Sequence, residues 1–202
     1  MTRRASVWLM MIVASCLAIE IAAAEDFAYC ILCHGTNGNG NAAIRAPRIA
    51  GLEPWYVRRQ LEAFAAGIRG THPDDVSGLE MTPVGVRLAE EKMLEDAVRF
   101  VGSLGPGKPA ATIAGDVQKG KQLYAACSAC HGPAGEGNQA QQAPALAARS
   151  DWYLVQQINN YKLGQRGADA RDTFGAQMRA VVATLPDDQA VADVVAYINT
   201  LN

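Results

Sequence analysis

Apolar residues recur at three- and four-residue steps in two stretches of the chain. Leu94, Ala97-Val98 and Val101 form the first set, and Val191, Val194-Val195 and Ile198 the second. This spacing is that of one buried helix face and predicts a helix in each place. Trp55 to Phe64 and Trp152 to Tyr161 predict a further pair, with Pro54 suited to a first helical turn. Asp116 through Cys130 is periodic at Val117, Leu123-Tyr124 and Cys127, and reads as one helix. Pro186 followed by Asp187-Asp188 marks a helix start with acid in its first turn. Alternating strand patterns are weak throughout, so the expected fold is all-α.

The matching pairs belong to a duplication. An offset of 97 (127 − 30) carries Pro47 to Pro144, Trp55-Tyr56 to Trp152-Tyr153, Gln60 to Gln157 and Arg69-Gly70 to Arg166-Gly167. The same offset carries Met81 to Met178, Val84 to Val181, Leu88 to Leu185 and Asp96 to Asp193, without a gap. Repeats of this length read as tandem domains rather than solenoid units. Gly105 to Thr112 is rich in Gly and Pro and reads as a linker. The expected division is a leader at 1–24, a first domain at 25–104, a linker at 105–114 and a second domain at 115–202. Each half is small for a self-sufficient apolar core and needs a staple.

The chemistry lies in two copies of Cys-x-x-Cys-His, Cys30 to His34 and Cys127 to His131, again 97 apart. Two thiols three positions apart share one side of a helical turn, where each can add to a haem vinyl group. The following His then offers an imidazole to iron. The expected cofactors are two covalently bound haem c groups, attached at Cys30, Cys33, Cys127 and Cys130, with His34 and His131 as axial ligands. Other uses of Cys-x-x-Cys fit less well. A redox dithiol needs a strand–helix context that neither motif has, and a zinc site built from all four thiols would leave both histidines and the paired methionines unexplained. Beyond the leader the chain has three methionines, Met81, Met93 and Met178. Met81 and Met178 are repeat partners, each expected on a loop before the final helix of its half, and are candidates for the sixth iron position. Met93 falls in the final-helix pattern and reads as core. His72 has no repeat partner and reads as a surface residue.

The N-terminus changes the compartment. Thr2-Arg3-Arg4 supplies positive charge, Val7 to Ile19 is nearly all apolar, and Ala22-Ala23-Ala24 precedes Glu25-Asp26. These three parts make a secretory signal peptide, and haem attachment to this motif is completed outside the cytoplasm, so a periplasmic location is expected. Cys16 in Val13-Ala14-Ser15-Cys16 also resembles a lipobox, and an uncleaved N-terminal anchor would be a second membrane tether. The apolar run is short for a spanning helix and is interrupted by Glu20. The chain carries 18 basic and 20 acidic residues; removing 1–24 leaves 16 and 19, net −3. No basic run remains, which disfavours nucleic-acid binding. The first half carries 8 basic and 11 acidic residues, net −3, and the second 7 and 8, net −1. On this ground alone the first haem should have the lower potential.

The tandem Cys-x-x-Cys-His-Gly, the Trp-Tyr-x-x-x-Gln motif, the Gly-x-Arg-Gly turn and the paired Met make the chain similar to the dihaem cytochrome c4 family over about 25–202. The resemblance implies two class I cytochrome c domains related by pseudo-twofold symmetry, their haem edges facing one another. It implies that the carbonyls of Pro47 and Pro144 accept hydrogen bonds from the histidines, and that Tyr56, Arg69, Tyr153 and Arg166 lie near haem propionates. It implies an electron carrier rather than an enzyme, passing electrons from a quinol–cytochrome c oxidoreductase or other donor to a terminal oxidase or reductase. The alternative is the haem c electron-transfer subunit of a dehydrogenase complex. The acidic stretch Thr71 to Asp75, against a less charged counterpart at Ala168 to Asp172, is where a partner-docking surface would depart from the family.

Overall fold

The computed structural model describes residues 27–105 and 107–201. The expected leader and Cys16 lie outside them. In chain order the first half holds α1 (Ala28–His34), α2 (Pro54–Ala65), α3 (Val76–Arg87) and α4 (Glu91–Ser103). The second holds α5 (Val117–Leu123), α6 (Ala125–His131), α7 (Asp151–Lys162), α8 (Thr173–Val182) and α9 (Asp188–Ile198). Among the described residues there are no strands, only two isolated bridges, Asn41 with Ala46 and Asn138 with Ala143. The fold is all-α.

The periodic stretches become the core. Leu94, Ala97, Val98 and Val101 of α4 are buried against Val57 and Leu61 of α2 and Leu88. Val191, Val194, Val195 and Ile198 of α9 are buried with Tyr124, Leu154 and Leu185. Pro54 opens α2, and Asp187 caps α9 by accepting from the Ala190 amide at 2.8 Å. Helix α9 packs most extensively on α5. Their backbones come so close at Gly120 that an added Cβ would stand 2.0 Å from the Asp193 carbonyl oxygen.

Two expectations need correction. The stretch from Asp116 to the second motif is two helices that meet at Tyr124, because the Tyr124 amide still closes onto Gly120 while its carbonyl accepts from Cys127 and Ser128. Met81 and Met178 lie on helices α3 and α8, not on loops. Helix α3 contains Gly78, Pro83 and Gly85, poor helix residues, and is held by an Asp75 cap on the Gly78 amide (3.2 Å) and by close packing on α2. At Gly85 a Cβ would lie 2.6 Å from that of Phe64, so the position is small because the helices touch there.

Gly105, Lys108, Thr112 and Ile113 of the 105–114 stretch are each docked on the fold. The Gly105 carbonyl accepts from Arg48 (3.4 Å), and Lys108 Nζ donates to the Leu201 carbonyl (2.9 Å). Asp151, 1% exposed at the start of α7, accepts from the amides of Thr112, Ile113 (2.8 Å) and Trp152 (2.7 Å) and from the Thr112 hydroxyl (2.7 Å).

Candidate haem sites and the interface between them

After each motif the chain turns back beneath its histidine. The Gly40 amide donates to the His34 carbonyl (2.7 Å), and the Gly137 amide to that of His131 (2.8 Å). Both glycines have positive φ, 87° and 83°. A Cβ at either would meet backbone amide nitrogen at 2.6 or 2.5 Å, so only glycine fits. A short 3-10 turn follows, Ala42–Ile44 or Gln139–Gln141, capped by Asn41 or Asn138. This path brings the Pro47 carbonyl to 2.7 Å from His34 Nδ1, and the Pro144 carbonyl to 2.7 Å from His131 Nδ1. A carbonyl can only accept, so Nδ1 carries the proton and Nε2 keeps its lone pair. Burial pulls both imidazole pKa values down, against the opposing pull of those carbonyls, so each ring is neutral at pH 7. A neutral ring oriented by its second nitrogen is the form that binds iron.

Burial pushes the Cys30 and Cys127 thiols up to about 11, so neither is a thiolate poised for disulfide exchange. Among the described residues no disulfide joins Cys30, Cys33, Cys127 or Cys130. Among the described residues no three His, Cys, Asp or Glu side chains gather as a metal-ion site.

One cavity of about 640 Å³ runs through both halves. Cys30, Cys33, His34, Pro47 and Met81 line one part of it, and Cys127, Cys130, His131, Pro144 and Met178 the other. Its polar wall lies where the halves meet. There Arg69 donates to Gln60 of its own half (2.6 Å) and to Tyr153 (2.8 Å) and Gln157 (3.3 Å) of the other. Arg166 does the same in reverse, to Gln157 (2.7 Å), Gln60 (2.8 Å) and Tyr56 (3.3 Å). Arg69, Gln60, Arg166 and Gln157 close a ring related by the 97-residue offset, and Tyr153 and Tyr56 each bond to one of its arginines. Burial works against ionisation of the Tyr56 phenol, but Arg166, Arg69 and Arg59 outweigh it and draw its pKa below the usual tyrosine range.

This ring carries excess positive charge. Arg69 and Arg166 are buried, and no described carboxylate forms an ion pair with either. Arg69 Nε is buried without a hydrogen-bond partner. Two buried cations on a cavity wall would each cost several kcal/mol without an anion. A flat apolar body with carboxylate substituents satisfies the apolar walls, the paired thiols, the oriented imidazoles and this unpaired wall together. Haem fits these residues.

The cytochrome c family model matches residues 117–202. The thiosulfate dehydrogenase electron acceptor of Stutzerimonas stutzeri (strain A1501) is 35% identical, over 81% of this chain and 76% of that protein. Cytochrome c4 of Azotobacter vinelandii is 30% identical, over 87% of this chain and 85% of that protein. The chain belongs to the cytochrome c4 family. The crystal structure of reduced recombinant cytochrome c4 from Pseudomonas stutzeri superposes with a TM-score of 0.70 at 28% identity, covering 90% of this chain and 97% of that one. This cytochrome c4 family member is therefore a c-type cytochrome with covalently bound haem c, and it is an electron-transfer protein rather than an enzyme.

Several functional contacts escape a reading of the sequence. Glu53 and Arg59 reach from the first half onto the loop that carries Pro144, and Asn160 donates to Asp75 across the interface (3.0 Å). Asp75 is therefore 2% exposed, inside the junction of the halves and not on a docking surface. Positions where the repeat breaks (Glu53 against Ser150, Arg59 against Gln156) were the available signal. His72 is partly exposed beside Asp74, and Met93 packs against the first core.

Proposed function

We propose that this protein is a periplasmic dihaem electron carrier built from two tandem cytochrome c domains, with a cleaved leader at 1–24. The carrying observation is the duplicated site: both halves offer two cysteines, a histidine oriented by a proline carbonyl, and a methionine on the same cavity. In this reading Cys30 and Cys33 tether one haem and Cys127 and Cys130 the other. His34 with Met81, and His131 with Met178, take the axial positions. Bound haem supplies one-electron Fe(III)/Fe(II) chemistry. The protein's part is to hold and insulate. Pro47 and Pro144 fix the imidazoles, the apolar cores exclude water, and Arg69 and Arg166 neutralise carboxylates at the junction of the halves.

With two axial side chains per iron, transfer is outer-sphere. Cys33 and Cys130 are exposed, so haems tethered there would present their attachment sides to solvent, while the arginine ring joins the sites internally. Electrons would then enter at one exposed side and leave at the other. The donor is a quinol–cytochrome c oxidoreductase or a periplasmic dehydrogenase, and the acceptor a terminal oxidase or reductase. The relative that serves as a thiosulfate dehydrogenase electron acceptor favours the dehydrogenase as donor.

The test is stopped-flow oxidation of the reduced protein by a terminal oxidase, beside carbon monoxide and peroxide binding. Fast transfer with no ligand binding supports the carrier. Rapid carbon monoxide binding to a native haem, or peroxide turnover without a partner, would overturn it.

A further inference from the structure

The interface is symmetric in its arginine ring and asymmetric beside it. In one direction the first half grips the second strongly. Glu53 Oε1 accepts from the Ala145 amide at 2.7 Å, and Arg59 donates to the Gln142 carbonyl (2.9 Å) and side chain (3.2 Å). Gln142 to Ala145 is the segment whose Pro144 carbonyl orients His131, so both its ends are held from the other half. At the repeat-equivalent positions the reverse contacts are longer. Ser150, the repeat partner of Glu53, accepts from the Arg48 amide at 3.3 Å. Gln156, the partner of Arg59, reaches only Ser77 at 3.5 Å.

Glu53 also brings charge. Its second oxygen is buried with no hydrogen-bond partner, on the side of the first half that faces the Pro144 loop. Arg149 lies within electrostatic reach but donates to the Ala50 and Gly51 carbonyls (3.5 and 3.0 Å), not to the carboxylate.

We propose that Glu53 is a positioning residue for the second haem: from the first half it holds the Pro144 loop and lowers the second iron's potential. Two effects act in the same direction. A carboxylate favours the more positive oxidised iron, and a firmly held proline carbonyl makes the imidazole a stronger donor. The second site's potential thus depends on how the halves pack, and Glu53 counts electrostatically with the second site although it belongs to the first half. The inference rests on His131 being the axial ligand of a second haem.

The experiment uses the full-length haem-loaded protein and Glu53→Gln, which keeps an oxygen for the Ala145 amide but removes the charge. Pyridine haemochrome analysis comes first: fewer than two haems in the unaltered protein overturns the dihaem reading itself. With two haems present, spectroelectrochemical titration follows, with waves assigned from paramagnetically shifted haem methyl signals. The second haem should become easier to reduce by roughly threefold to tenfold, about 30–59 mV at 59 mV per tenfold for one electron. The first should move much less. Glu53→Ser, the residue the repeat carries at 150, should shift the same wave and also speed hydrogen exchange at the Ala145 amide, which Glu53→Gln should leave slow. Equal movement of both waves, or an unmoved second wave in either variant, overturns the assignment while leaving two haems in place.

Discussion

Replacing Arg166 by Met probes the ring that joins the two sites. The substitution removes donors from Gln157 (2.7 Å), Gln60 (2.8 Å) and Tyr56 (3.3 Å) in a region where Arg166 is only 7% exposed. Hydrogen bonds from a charged donor are worth about 1.5–3 kcal/mol each, which sets an upper bound near 9 kcal/mol for the three. Two corrections lower it. Gln60 and Gln157 keep Arg69 as a donor, and removing a buried cation recovers part of its desolvation cost. The net loss should be about 2–4 kcal/mol, which for a chain of this length lowers Tm by roughly 6–12 °C. Arg69→Met should cost about as much. The double variant should cost more than the sum by about 1–2 kcal/mol, since each single variant leans on the surviving arginine. Urea unfolding of the haem-loaded protein, followed by circular dichroism, gives the three values. Single losses below about 0.5 kcal/mol, or additivity within that margin, would refute the shared ring.

Other outcomes follow from the same contacts. Asp151→Asn should destabilise the protein by about 2–3 kcal/mol and free the Thr112–Ile113 segment to proteolysis, because an amide cannot accept all the bonds the carboxylate does. Burial raises the Asp151 pKa, but those donors outweigh it and hold it below the usual carboxylate value. A depressed folded pKa contributes stability above the unfolded value near 3.9, lost as pH falls through the folded one, so acid titration below about pH 4 should unfold Asp151→Asn less steeply than the unaltered protein. Gly120→Ala should cost several kcal/mol in thermal melts, because its Cβ would fall on the Asp193 carbonyl. Met81→Ala and Met178→Ala should each remove part of the weak long-wavelength sulfur–iron band; a full band in either variant would refute that ligand.

The helices α4 and α9 were legible because packing and periodicity coincide there: Leu94, Val98, Val191 and Val195 are the residues the core buries. The paired motifs were legible from their local spacing, and the proline contacts from the family resemblance. Helix α3 was not, since Gly78, Pro83 and Gly85 argue against a helix and only close packing on α2 supports one. The partners of Arg69 and Arg166 were hidden for a different reason. The family resemblance placed each arginine by the haem, but its bonds to the other half depend on how the two halves dock. Glu53 on Ala145 is the extreme case, a contact across 92 positions with no counterpart of equal strength in the repeat.

Haem on both halves can be read from intact-mass analysis of the mature protein, paired with pyridine haemochrome quantification. The expected mass is that of the chain without residues 1–24 plus two haems, with two haems per polypeptide. A single covalent haem, with one Cys-x-x-Cys pair free to alkylation, would contradict it.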